Sequence, residues 1–74
     1  MSLELLVFWR NCRTNRQTQL KNHMATLDAL TLRRQSEPAN IGLDASINKQ
    51  WVFVLEAQDK LDHADQMVKF FGGQ

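Results

Sequence analysis

The chain has one cysteine, one proline, three glycines and no tyrosine among its 74 residues. A lone Cys12 excludes an internal disulfide, and one cysteine with two histidines falls short of a structural zinc site. No metal or cofactor site is therefore expected. No Gly-rich phosphate loop occurs, and no nucleophile lies beside a base in a recognisable spacing. The carboxylates Asp59, Asp62 and Asp65 advance by three along a helix. They form an acidic strip, not a paired acid–base site. A chain of this size offers no enclosed pocket of its own, so an enzyme is not expected. Long apolar runs are also missing. Leu3 to Trp9 is the greasiest stretch, far short of the ~20 residues needed to span a bilayer. It has neither the basic flank nor the cleavage site of a secretion signal. A single free thiol and no membrane span fit a cytoplasmic protein.

The scarcity of residues itself constrains the fold. Residues 1–74 make one small domain. A chain this short buries only about 60% of its unfolded surface, so its own core is marginal. With no disulfide or metal to help, oligomerisation or a protein partner is the expected supplement.

What is present is mostly helical pattern. The one clear break, Ser36 to Asp44, holds Pro38 and Gly42. Residues before proline avoid the helical region, so the first helix should end near Ser36. Asp44 is suited to cap a second helix over Ala45–Phe71, and the terminal glycines stop it. On a 100° wheel Ile47, Val54, Ala57, Leu61, Ala64, Val68 and Phe71 share one face, with Trp51 at its edge. In the first segment Leu20, Met24, Leu27 and Thr31 form a stripe. Extended backward, it takes in Leu6 and Trp9, but also Arg13 and, at its edge, Arg16. The first helix is expected over Ser2–Gln35, capped by Ser2 and possible to break near Asn11–Asn15, where poor helix formers gather. The fold class is thus all-α, an antiparallel helical hairpin with loop 36–44. The alternative is α+β, with "LLVFW" and "WVFVL" as two short strands. Such a pair rarely stands alone.

Charge divides the chain. Residues 1–36 carry Arg10, Arg13, Arg16, Lys21, Arg33 and Arg34 against Glu4 and Asp28, a balance of +4. Residues 37–74 carry Lys49, Lys60 and Lys69 against Glu37, Asp44, Glu56, Asp59, Asp62 and Asp65, a balance of −3. In a hairpin folded near residue 40, Arg13 and Arg16 come close to Asp62 and Asp65, and charge pairing there would set register. The other reading of Arg10, Arg13, Arg16 and Lys21 is a nucleic-acid contact, arginine and lysine on phosphates with Asn11, Asn15 and Gln17 at base edges. The acidic second half opposes it.

The aromatics point to protein contact. Phe8 and Trp9 should meet Phe70 and Phe71 at the open end of the hairpin. Trp51 and Phe53 point to different sides of the second helix, so one side lacks an intrachain partner. Phe8, Trp9, Trp51, Phe53, Phe70 and Phe71 are accordingly the candidate interface, against itself or another protein. The functional expectation is a non-enzymatic interaction module: an oligomeric adaptor, chaperone-like protein or assembly subunit. The alternative is a nucleic-acid-binding regulator using Arg10–Lys21.

Overall fold

A computed structural model describes residues 3–72. Two helices, α1 (Leu3–Ser36) and α2 (Gly42–Gly72), form an antiparallel hairpin. The rod measures 57 × 15 × 14 Å. The 34 residues of α1 at 1.5 Å each account for about 51 Å of that length. Both "LLVFW" and "WVFVL" lie inside helices, so the two-stranded alternative is excluded.

The side chains turned toward the partner helix recur with one period. On α1 they are Leu6, Trp9, Arg13, Arg16, Leu20, His23, Leu27, Leu30 and Arg34. On α2 they are Leu43, Ile47, Gln50, Val54, Ala57, Leu61, Ala64, Val68 and Phe71. Steps of three and four alternate along both sets, and Cys12, Asp65 and Met67, at flanking g and e positions, are partly buried beside them. The alternation is the a/d repeat of a coiled coil, a mean period of 3.5 residues. With Leu6 and Ile47 as a positions, the d positions include Trp9, Arg16, His23 and Leu30 on α1, and Gln50, Ala57, Ala64 and Phe71 on α2. Observed pairs such as Arg13–Asp65, His23–Phe53 and Arg34–Asp44 fix the antiparallel register. In an antiparallel pair the e positions adjoin along one edge and the g positions along the other. The e edge carries Met24 and Trp51. The g edge carries Cys12, Phe53 and Lys60.

The seam corrects the expected α1 stripe. Met24 and Thr31 are exposed, and His23 and Leu30 face inward instead. A 3.6-residue wheel drifts away from a seam that repeats every 3.5 residues, and the polar His23 hides the true position.

α1 runs unbroken through Asn11–Asn15. Thr14 and Thr18 donate their hydroxyls to the carbonyls of Arg10 and Thr14, four residues back, at 3.1 and 3.2 Å. Their polar groups are thus satisfied within the helix rather than competing with it. The Ser2 cap lies outside the described residues.

The loop is shorter than expected, and α2 starts at Gly42, so Asp44 sits in the first turn rather than at the cap. Arg34 ties the turn together. Its Nε donates to Asp44 Oδ1 at 2.7 Å, and its Nη1 to the carbonyl of Pro38 at 2.8 Å. Arg33 Nε donates to Glu37 Oε2 at 2.8 Å. An acid at the start of α2 also complements its helix dipole.

The core is thin. Its buried apolar residues are Leu27, Leu43, Val54, Ala57, Ala64 and Val68. Two are alanines, and Leu27 is the one buried leucine of α1. The α-carbon radius of gyration is 16.7 Å, against about 11 Å for a compact domain of this length.

Candidate interaction surface

The seam positions 13, 16, 23 and 34 of α1 carry polar side chains, and each has a polar contact. Arg13 Nη1 donates to Asp65 Oδ1 at 3.4 Å, with both side chains partly exposed. Arg16 instead donates to Gln19 Oε1 at 3.1 Å on its own helix. Asp62 accepts from Gln58 at 2.9 Å. Of the residues considered for charge pairing, the structure brings Arg13 to Asp65 and leaves Arg16 and Asp62 apart. Seam position 16 directs its side chain along α1, whereas Asp62, a b position, turns away from the seam.

A buried polar contact went unrecognised in the sequence. Gln50, a buried d residue, donates from Nε2 to the carbonyl of His23 at 3.0 Å. The same amide nitrogen lies 3.3 Å from His23 Nδ1. Donation to Nδ1 as well as to the carbonyl would require that ring nitrogen to carry no proton. No pattern of apolar residues marks this pair. Only the 3.5-residue period, once recognised, places Gln50 and His23 in the seam. A buried polar contact of this kind helps fix register.

Asp65 is held below the usual carboxylate range by Lys69, 3.3 Å away on the next turn, and by Arg13. Arg33 and Asn40 do the same for Glu37. Arg34 is raised by its hydrogen bond to Asp44. Lowered carboxylates bind protons less readily in the folded than in the unfolded chain. Their stabilising effect is present above the ordinary carboxylate values and is lost as pH falls through the lowered folded values. The hairpin is therefore expected to melt at progressively lower temperature below about pH 4. Asp65→Asn should flatten part of that slope. An acid limb of equal steepness in the variant would remove Asp65 as a contributor.

The aromatic residues separate into two groups. Phe8 packs edge-on against Trp9 with ring centroids 5.3 Å apart, and Trp9 packs edge-on against His63 at 5.4 Å. Phe70 and Phe71 contact each other at 5.0 Å. The expected meeting of Phe8 and Trp9 with Phe70 and Phe71 is thus replaced by neighbour pairs within each helix and by His63. Phe53 stacks on His23 at 5.7 Å, with Lys49 Nζ 6.0 Å above its ring. Trp51 differs from the other five: no ring contact reaches it among the described residues, and it is 47% exposed.

Around Trp51 the surface is apolar. Val52 and Leu55 lie on the adjoining outer face of α2, 51% and 60% exposed, and Met24 is exposed at the same level on α1. More exposed apolar side chains stand at the open end: Leu3, Leu5, Val7, Phe8 and Phe70. The g edge holds a groove of about 360 Å³. Phe8, Trp9, Cys12, Arg16, Lys60 and His63 are among its walls. The small d residue Ala64 lies at its floor.

Of the alternative nucleic-acid set, Arg13 is ion-paired and Arg16 is engaged by Gln19. Arg10 and Lys21 are exposed. Among the described residues, no group of histidine, cysteine and acidic side chains could hold a metal ion. No described helix is long and apolar enough to cross a membrane. No family model, curated protein or solved structure matches the chain.

Proposed function

We propose that this chain is a non-enzymatic protein-interaction module, a helical hairpin that completes its core against protein: an oligomeric adaptor, chaperone-like protein or assembly subunit. The observation that carries the reading is the exposed apolar surface around Trp51, set against a seam whose buried apolar residues include only small alanines beside four larger side chains. A tryptophan with no ring contact among the described residues, flanked by Val52 and Leu55, is the composition of an interface centre.

The area supports the same reading. The chain exposes 5479 Å². A compact monomer of 8.6 kDa exposes about 4,700 Å² by the surface scaling of monomeric proteins. The excess, about 800 Å², equals the share that each partner buries in a standard interface.

Site-specific photocrosslinking in the source cell tests this. A photoreactive residue at position 55 is expected to give a protease-sensitive adduct with protein. The same probe at position 10 or 21 is expected to give no nuclease-sensitive adduct. No protein adduct at position 55, or a nucleic-acid adduct at position 10, would contradict the proposal.

A further inference from the structure

We infer that the surface around Trp51 is covered by a second copy of this chain, with α1 of each copy lying antiparallel against α2 of the other in a four-helix bundle. The inference rests on the interaction role proposed above and names the partner.

Edge comes first. On the g edge the aromatics already have neighbours: Phe53 lies on His23, Phe8 on Trp9, and Trp9 on His63. On the e edge Trp51 and Met24 stand level with each other, one on each helix, without a ring contact among the described residues. Val52 and Leu55, 51% and 60% exposed, adjoin them, so this edge carries a run of four exposed apolar side chains, whereas at the g edge the half-exposed Phe8 stands beside a groove.

Charge then selects the occupant and its orientation. α1 carries Arg10, Arg13, Arg16, Lys21, Arg33 and Arg34 against Glu4 and Asp28, a balance of +4. α2 carries Asp44, Glu56, Asp59, Asp62 and Asp65 against Lys49, Lys60 and Lys69, a balance of −2. At the e and b positions flanking the Trp51 face, no ion pair among the described residues reaches Arg10, Lys21 or Asp28 on α1, nor Asp62 on α2. The hairpin thus shows opposite unpaired charge on its two helices. A second copy offers the complement of both at once. A two-fold axis parallel to the helices sets each basic α1 on an acidic α2 and keeps every neighbouring pair antiparallel. An axis across the helices, one that stacks like helix on like, sets +4 against +4.

The parallel axis preserves height along the rod. Met24 then comes level with the second copy's Trp51, and Arg10 with its Asp62, and by symmetry the reverse. A second copy that buried the excess of about 800 Å² would form an interface of standard size.

Three measurements on the full chain test the arrangement. Sedimentation equilibrium is expected to give twice the 8.6 kDa chain mass. Spin labels at A39C, in a C12S background, report where the two loops lie. The parallel axis puts both loops at one end, about 20 Å apart, two helix diameters. Loops separated by nearly the 57 Å rod length would overturn the inference. The third measurement uses exposed charges that leave the seam untouched. R10E and D62R are each expected to weaken self-association about tenfold, because each places two like-charge contacts across the interface. An equimolar mixture should associate about as tightly as the original chain, since the mixed dimer regains both opposite-charge contacts. A mixture no tighter than either variant alone, or a monomer at every concentration, overturns the second copy. Neither result touches a protein adduct at position 55, so the broader role fails only on its own test.

Discussion

Inserting one alanine between Asp59 and Lys60 is expected to melt the open half of the hairpin. One extra helical residue turns everything beyond it by about 100°. Lys60, His63, Met67 and Phe70 would then occupy the seam positions now held by Leu61, Ala64, Val68 and Phe71. Ala64, at 1% exposure, is the most buried of the core residues and would be carried out of the seam. A lysine would enter it with no acid provided. The Arg13–Asp65 ion pair would also be lost. The combined cost is several kcal/mol, the scale of burying an unpaired charge and losing the apolar contacts. Amide exchange reads the result directly. Residues 61–72 should lose protection while the loop-proximal half retains some. The same alanine inserted between Pro38 and Ala39, outside both helices, should cost well under about 1 kcal/mol, because lengthening a loop changes closure entropy slowly. Equal effects at the two positions would show that the heptad seam does not organise the fold.

Leu27→Ala is expected to abolish cooperative folding of the isolated chain. Leu27 is 4% exposed and sits in the seam between His23 and Leu30. Truncating a buried leucine costs about 2–5 kcal/mol through lost transfer energy and the cavity left behind. A core of this size supplies about 3–5 kcal/mol in total. The two figures are comparable, so the variant has little stability left. Leu32→Ala is the control. Leu32 is 64% exposed on the outer face of α1, and the change should alter stability by less than about 0.5 kcal/mol. Chemical denaturation of both variants at one protein concentration checks the contrast. Equal losses would place the core elsewhere.

The second helix was legible because its seam is written in apolar residues. Ile47, Val54, Ala57, Leu61, Ala64, Val68 and Phe71 all face α1. The first helix was not, because Arg13, Arg16, His23 and Arg34 occupy positions where an apolar residue would mark the repeat. Over the length of α1, the difference between 3.6 and 3.5 residues per turn is enough to substitute Met24 for His23 and Thr31 for Leu30. The Arg13–Asp65 contact followed from opposed charge and hairpin geometry alone. The Gln50–His23 contact did not, since neither residue type announces burial. Trp51 stood out in sequence as one end of an all-round apolar stretch, "WVFVL". That no ring contact reaches it among the described residues depends on how α1 and α2 pack, which the sequence does not display.

The central proposal is that the hairpin seam alone does not suffice and that association completes it. Thermal unfolding of the unmodified chain, followed by far-ultraviolet circular dichroism over about a thousandfold range of protein concentration, tests that claim most directly. Association that stabilises the folded form makes the midpoint rise with concentration, and dilution should lower it until helicity is lost. A single cooperative helical transition whose midpoint stays constant across the whole range would contradict it.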